Sequence, residues 1–189
     1  NLMGRSAVYD ETLMLWFRAE SNGTLFRADQ TRIALEDGQL VLHSGKTEQT
    51  ANAQLVNNEC HHLVLTISRT YNSAALFVDG KLYQTFSATD LMGITGTMYL
   101  GGSGYRGLID EFTIFEQALP QQLVELYEEN ALTGDEMGLM AYLPFEEQYS
   151  NQNGIMEQRF TVNDQRVFKD ANGNVVNKVV PLLLDTAQT

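Results

Sequence analysis

The chain has 189 residues, of which 43% are hydrophobic and 19% are charged, a balance typical of a globular protein with an ordinary core. Twelve basic side chains stand against 24 acidic ones, giving a formal net charge of −12. Phosphate binding requires clustered Lys and Arg, so this composition argues against a nucleic-acid partner. Cys60 is the single cysteine, which excludes an intramolecular disulfide. Since no apolar run approaches the ~18 residues of a membrane span, we expect no membrane insertion.

Short strands with turn residues at each join fill the chain from residue 11 to residue 115. Residues 11–19 are apolar on both faces, which is typical of a strand that is covered on both sides. Asp37-Gly38 and Asp79-Gly80 each separate two alternating apolar runs. Asp-Gly favours a β-hairpin because both central positions of a type I′ turn need positive φ. Roughly ten strands at this close spacing predict an antiparallel sandwich or barrel.

A single segment predicts a helix, near residues 120–129. Pro120 suits the first helical position and Asn130 a stop, and we expect the helix to pack against one end of the sandwich. Further along, residues 160–162 and 167–168 predict strands, and residues 170–174 predict a hairpin turn. The last apolar run contains Pro181, which lowers it to an edge strand or an extended linker.

Three segments in this order resemble one known family. They are LWFRAESNGTLFRADQTRIALEDGQLVLHSG at 15–45, CHHLVLTISRTYNSAALFVDGKLY at 60–83 and YLGGSGYRGLIDEFTIFEQAL at 99–119. Together they are similar to the laminin-G-like domains of the concanavalin A-like jelly rolls, which also resemble the pentraxins. Cys60 stands where that family usually has Trp. The resemblance implies an all-β fold, an antiparallel two-sheet jelly-roll sandwich with one short helix near 120–129.

The resemblance also bears on domain organisation. The family's opening strand, Gly-Leu-x-Ala-Tyr-x-Pro-Phe, is missing before residue 10, and the similar GLMAYLPFEE stands at 138–147. That segment either begins a next module or folds back to complete the sheet, and we favour the second because an open sheet edge invites association. We expect a jelly roll over 1–148, and over 149–189 a C-terminal β-hairpin extension or the start of a linker. The chain opens with Asn1 rather than Met, so we expect a processed or excised segment, and we expect it to be part of a larger multidomain chain.

The residues that could support catalysis do not converge. Adjacent residues on a strand point to opposite faces, so we expect one of His61 and His62 to lie inside and the other outside. We expect Asp110 and Glu111 to diverge in the same way, and Glu116 lies beyond the strand. A retaining glycoside hydrolase needs two carboxyl groups ~5 Å apart on one face. The sequence therefore predicts that the chain is not an enzyme.

Calcium is the ion that the resemblance implies, and Asp29 and Asp90 occupy the positions of the family's carboxylate ligands. Calcium takes six to eight oxygen ligands. Two separate acidic residues fall short of that number. Calcium binding and ordinary solvated loop acids therefore both remain open.

Sugar binding requires an exposed aromatic side chain with hydrogen-bonding neighbours. We expect Trp16, inside the apolar LMLWFR run, to lie in the core. Tyr71 lies at a hairpin tip, and Tyr105-Arg106 lie in a glycine-flanked loop. Because loops carry function more often than strands do, Tyr71, Tyr105 and Arg106 are the predicted ligand-binding residues.

The resemblance implies a non-catalytic recognition module that binds a carbohydrate or a protein, within a larger extracytoplasmic, secreted or cell-surface protein. The alternative is a structural spacer domain without a ligand, which the lack of an aromatic-rich or metal-rich cluster favours. A glycoside hydrolase ranks third, because the carboxylate pair is missing. A glycan array would separate the first two hypotheses, and release of reducing ends from β-glucans would test the third.

Overall fold

The computed structural model describes residues 10–94, 98–143, 149–150, 156–157 and 182–184. Fourteen strands and one helix lie in these ranges. In chain order they are β1 (Glu11–Ala19), β2 (Gly23–Ala28), β3 (Thr31–Glu36), β4 (Gln39–Ser44), β5 (Thr47–Ala51), β6 (Cys60–Ser68), β7 (Ser73–Val78), β8 (Lys81–Phe86), β9 (Met98–Leu100), β10 (Gly107–Phe115), α1 (Gln121–Glu129), β11 (Leu139–Leu143), β12 (Tyr149–Ser150), β13 (Met156–Glu157) and β14 (Leu182–Leu184).

The strands form two six-stranded sheets. The first has the order β11-β10-β1-β6-β7-β8, and all its neighbours are antiparallel. The second has the order β14-β9-β2-β3-β4-β5, antiparallel except for the β14–β9 pair. The predicted all-β, antiparallel jelly-roll sandwich with one short helix is therefore confirmed.

The main core lies between the two sheets. Leu13, Leu15 and Phe17 alternate along β1, and all three are at most 2% exposed. They meet buried apolar residues of the second sheet because every second side chain of a strand points to the same face. The rings of Phe26 and Phe112 stack across the sandwich with centroids 5.6 Å apart. This layer fixes the register of every strand around it.

The two Asp-Gly turns adopt the backbone that the sequence predicts. Asp37 and Gly38 have φ values of 50° and 78°, and Asp79 and Gly80 have 53° and 76°. Positive φ at both central positions matches the right-handed twist of the flanking strands. These turns close the β3–β4 and β7–β8 hairpins.

The helix α1 packs on the outer face of the first sheet, whereas the sequence predicted contact with one end of the sandwich. Val124 of α1 is fully buried in a second apolar cluster with Met14, Val64 and Phe115. The reason is that β1 and β6 are apolar on both faces, so the face turned away from the second sheet also needs a cover. Pro120 lies one residue before the helix as its N-cap, and Asn130 is the C-cap.

Two described strands of the C-terminal region, β11 and β14, join the six-stranded sheets. Residues of β11 pair with β10 from Phe112↔Leu143 to Phe115↔Leu139, so this part of GLMAYLPFEE extends the first sheet. Strands β12 and β13 pair with each other, and β14 lies at the edge of the second sheet. The strands predicted at 160–162 and 167–168 and the turn predicted at 170–174 lie outside the described residues. The boundaries 1–148 and 149–189 stay predictions.

Candidate functional site

A cleft of about 170 Å³ opens between the outer face of the first sheet and the C-terminal end of α1. Strands β1, β6 and β10 form its floor, and the end of α1 with the loop that follows forms its wall. We call it the Trp16 cleft. Its lining residues are Met14, Trp16, His62, Glu111, Thr113 and residues 127–132.

Trp16 and His62 are neighbours across the β1–β6 pair and form the aromatic floor of the cleft. Their rings stack with centroids 4.7 Å apart and an interplanar angle of 27°. Trp16 is half-buried, so the prediction that it lies in the core is wrong. Its side chain points away from the second sheet, and the cleft leaves part of the indole open.

Burial keeps the His62 ring neutral. The residue is 2% exposed, and removal from water lowers its pKa to about 4 despite the opposing charge of Asp79. Its Nδ1 has no hydrogen-bond partner within the described part of the chain. The prediction that one of the two adjacent histidines lies outside is wrong, because α1 and the next loop cover the outer face.

His61, which points the other way, is structural. It is 8% exposed, its Nδ1 lies 2.8 Å from Oδ2 of Asp79, and its Nε2 lies 2.9 Å from Oδ1 of Asn57. Asp79 also accepts a hydrogen bond from the backbone N–H of His62 through Oδ1 at 2.8 Å. This network ties β6 to the β7–β8 turn.

A β-bulge in β10 brings Glu111 into the cleft. The register passes from Met14↔Thr113 to Trp16↔Asp110, so Glu111 and Phe112 together face Leu15, and Glu111 has a φ of 51°. The Glu111 carboxylate accepts a hydrogen bond from the Tyr142 hydroxyl of β11.

The same bulge overturns the prediction that Asp110 and Glu111 face opposite sides. Asp110 pairs directly with Trp16, and paired residues share a face, while Glu111 lines the cleft beside Trp16. The Oδ1 of Asp110 accepts a hydrogen bond from the backbone N–H of Glu111 at 2.8 Å, and this bond stabilises the positive φ of Glu111.

The wall of the cleft is acidic. Glu128 and Glu129 line it, and Asn130 follows them. The pKa of Glu128 is raised, first by burial and then by the negative charges of Asp79, Glu129 and Glu125. With a neutral histidine, an aromatic floor and several carboxylates, the cleft can accept hydrogen bonds from hydroxyl or ammonium groups and contact an apolar ring face.

The structure places the three predicted ligand-binding residues at opposite ends of the first sheet. Tyr71 is 84% exposed in the β6–β7 turn, beyond the pairing of Ser68 with Ser73. Tyr105 and the exposed Arg106 precede β10, whose first residue pairs with Ala19 at the far end of β1. Nine residues of β1 separate the ends by ~26 Å at about 3.3 Å per residue. They do not form one site.

The Tyr105 side chain forms its hydrogen bonds with nearby backbone. Its hydroxyl donates to the carbonyl oxygen of Leu108 at 2.7 Å and also lies 3.2 Å from that of Arg18. Burial raises the pKa of this hydroxyl well above its usual value. The ring packs against the edge of the main core. Tyr105 therefore stabilises the entry to β10.

The residues implied for calcium lie in neighbouring loops. The N–H of Gly45 donates to the carbonyl oxygen of Gln30 at 3.2 Å, and a Cβ at Gly45 would lie 3.2 Å from the carbonyl oxygen of Asp90. Asp29 and Asp90 thus approach the same end of the second sheet. Across the residues that the structure describes, no group of three or more His, Cys, Asp or Glu side chains could hold a metal ion. Calcium also accepts backbone carbonyl and water oxygens, so calcium binding at Asp29 and Asp90 stays a prediction.

The sequence predicted that β1 is covered on both sides, but it placed α1 against one end of the sandwich, so the Trp16 cleft between α1 and the first sheet was missed. The signal was the run of apolar residues on both faces of β1, which predicts a second covered face. No motif indicated the bulge at Glu111. Within the described ranges, α1 is too short and too polar to span a membrane.

Comparisons with known proteins agree with this architecture. A family model of the laminin-G type, described as "Concanavalin A-like lectin/glucanases superfamily", matches residues 4–125. No curated protein sequence matches the chain significantly.

Several solved structures share the fold at low sequence identity. A Bacteroides ovatus ATCC 8483 protein, provisionally named a carbohydrate binding protein, matches with a TM-score of 0.67 and 12% identity over 82% of this chain and 52% of its own. The binding domain of Paraclostridial Mosquitocidal Protein 1 has a TM-score of 0.53 and 20% identity over 65% of this chain and 37% of its own. The ligand binding domain of botulinum neurotoxin serotype D, in complex with N-acetylneuraminic acid, has a TM-score of 0.51 and 14% identity. That match covers 67% of this chain and 38% of the neurotoxin domain's chain.

The chain thus spans about half or less of the length of each of these structures. The family match covers well over half of the chain and coincides with both sheets up to α1. The chain belongs to the concanavalin A-like lectin/glucanases superfamily, in its laminin-G branch.

Proposed function

We propose that the chain is a non-catalytic carbohydrate-recognition module of a larger extracytoplasmic protein, and that the Trp16 cleft is its ligand site. The observation that carries this proposal is the position of the sole tryptophan. It is half-buried on the outer face of the first sheet, beside carboxylates that line the same cleft.

These groups suit a sugar ring. A pyranose has an apolar face that packs against an aromatic ring, and hydroxyl groups around its edge that donate hydrogen bonds. Hydrogen bonds to ionised carboxylates are stronger than those between neutral groups. Glu111 and Glu129, which line the cleft together with Trp16, supply such acceptors. Family membership supports the same class of ligand, as does the sugar complex of the neurotoxin domain.

The size of the cleft favours recognition over cleavage. Ligand pockets usually enclose about 300 to 1,000 Å³, and this cleft has about 170 Å³. A glycoside hydrolase must hold a sugar ring on each side of the bond that it breaks, with a carboxyl group on each side of that bond. Here Glu111 is bonded to Tyr142, and the space suits one terminal ring.

Tyr71 and Arg106 remain competing ligand residues, since both are exposed at loop tips. A glycan array therefore compares four forms: the unchanged chain, Trp16→Ala, Tyr71→Ala and Arg106→Ala. We expect the unchanged chain to retain at least one glycan, Trp16→Ala to lose it, and the two loop variants to retain it. Thermal unfolding of each form controls for loss of structure.

Other outcomes would contradict the proposal. Binding that disappears only with Tyr71→Ala or Arg106→Ala would move the site to a loop. Binding to no glycan would favour a spacer domain or a protein partner. Release of reducing ends from a β-glucan, lost with Glu111→Gln, would make the chain a hydrolase.

A further inference from the structure

The Trp16 cleft has a one-sided charge. Three glutamates, Glu111, Glu128 and Glu129, line it, and no lysine or arginine is among its lining residues. A neutral sugar needs hydrogen-bond acceptors, but it does not need this excess of negative charge. The charge therefore indicates something about the ligand beyond its being a sugar.

The charge of Glu128 is not compensated by its surroundings. It is half-buried, and within the described residues its carboxylate makes no hydrogen bond or ion pair. Instead it lies against the Asp79-Gly80 turn, where a Cβ at Gly80 would overlap its Oε2. Burial and the carboxylates of Asp79, Glu129 and Glu125 all raise its pKa. A cation bound here would relieve this repulsion.

His62 is a second, independent sign of a missing ligand. It is 2% exposed and lines the cleft, and its Nδ1 has no partner among the described residues. Buried polar atoms usually have a hydrogen-bond partner, so an orphan atom calls for an explanation. A neutral imidazole keeps one nitrogen as an acceptor, and at neutral pH it adds no positive charge that would repel a cation.

We propose that the Trp16 cleft recognises a protonated primary amine carried on a sugar ring, so that its ligand is an amino sugar with a free amine. This inference rests on the proposed carbohydrate function of the same site. An ammonium group has three donors and no acceptor, which matches a wall of carboxylates. A cation within about 6 Å of an indole face is attracted by the ring, and Trp is the best aromatic partner for it.

The cleft's size limits what can carry the amine. At roughly 30 Å³ per water molecule, 170 Å³ corresponds to about six waters. That space accommodates one ring at the end of a chain, with the remainder of the glycan outside. The ligand is accordingly a terminal or exposed hexosamine unit whose nitrogen is not acetylated.

Titration calorimetry at pH 7 tests the inference with three oligosaccharides of equal length. They are β-1,4-linked glucosamine, its N-acetylated counterpart and the corresponding glucose oligomer. We expect the free-amine oligomer to bind at least about tenfold more tightly than the other two, the size of effect that one charge-assisted hydrogen bond gives. Glu128→Gln should remove about tenfold of that affinity, and the matched control Glu125→Gln, on the same helix outside the cleft, less than about twofold.

The outcomes separate the two proposals. Equal affinity for all three oligomers, lost with Trp16→Ala, would leave the carbohydrate site standing and overturn the amine. Binding of none of the three would overturn the amine, and the glycan array would then decide the carbohydrate function by itself. Tighter binding of an Nα-acetyl-lysine amide than of the glucosamine oligomer would keep the amine chemistry but overturn its sugar carrier.

Discussion

Lowering the pH should destabilise the fold through His62. In the unfolded chain this histidine takes up a proton near pH 6.5, whereas burial holds its folded pKa near 4. Between these values the unfolded state binds the extra proton, so stability falls as the pH falls. The lowering of the His62 pKa from 6.5 to about 4 corresponds to about 3 kcal/mol of unfolding free energy once the pH is well below both values. About 2 kcal/mol of that is lost between pH 7 and pH 5.

The assay is urea unfolding at pH 7 and pH 5 for the unchanged chain and for His62→Gln. Ordinary carboxylates stay ionised over most of this range. Glu128, with its raised pKa, changes stability in the opposite direction because the folded state binds its proton first. The difference between the two proteins removes that contribution. We expect the pH-dependent loss to be about 2 kcal/mol smaller in His62→Gln.

His62→Phe serves as a second variant, because it keeps a ring against Trp16 and cannot titrate. Its overall stability can differ through packing, but its slope against pH should match that of His62→Gln. If the unchanged chain and both variants lose the same free energy between pH 7 and pH 5, His62 is not held neutral by burial. The described environment of the cleft would then be wrong.

Three further changes test other parts of the structure. Thr12→Val should lower the free energy of unfolding by about 3 kcal/mol, because the Thr12 hydroxyl accepts a hydrogen bond from the buried Leu119 N–H at 2.9 Å and donates one to the Gln117 carbonyl at 2.7 Å. The control Thr12→Ser keeps the hydroxyl and should lower it by less than about 1 kcal/mol. Equal losses in the two variants would contradict this role. Gly107→Ala should lower the free energy of unfolding, measured with urea, by more than about 2 kcal/mol, because the added Cβ would overlap the Arg18 carbonyl oxygen. The control Gly101→Ala has open space around its Cβ and should lower it by about 1 kcal/mol. The affinity advantage of the unchanged chain over Glu128→Gln for the glucosamine oligomer should shrink as the pH falls from 7 to 5, because burial and the charges of Asp79, Glu129 and Glu125 raise the pKa of Glu128 and its protonation removes the charge that binds the amine. The amine's own titration affects both proteins equally, so a ratio of the two calorimetric affinities that grows as the pH falls would contradict this role of Glu128.

The sequence was sufficient for the architecture because its signals were local. Asp37-Gly38 and Asp79-Gly80 encode positive φ within two residues, and β1 shows its apolar pattern within nine. The start and stop of α1 were predicted to within a residue at Pro120 and Asn130. Such features depend on neighbours along the chain, so one sequence contains them in full.

The site could not be predicted because it depends on contacts between distant segments. Where α1 docks decides whether Trp16 and His62 are covered, and no local pattern determines that docking. The bulge at Glu111 depends on the pairing of β10 with β1, which shifts by one residue. A shift of one residue changes the face that a side chain occupies, so the prediction for Asp110, which assumed strict alternation, failed. The prediction for His62 failed because α1 covers the outer face of the first sheet.

The central claim is that the sole tryptophan marks a ligand cleft, and its intrinsic fluorescence reports on that place alone. The most direct measurement is a fluorescence titration with the β-1,4-glucosamine oligomer at pH 7, with calorimetry of the same samples. We predict a saturable change in Trp16 emission whose midpoint matches the calorimetric one and shifts about tenfold in Glu128→Gln. Calorimetric binding that leaves the emission of Trp16 unchanged would contradict the claim.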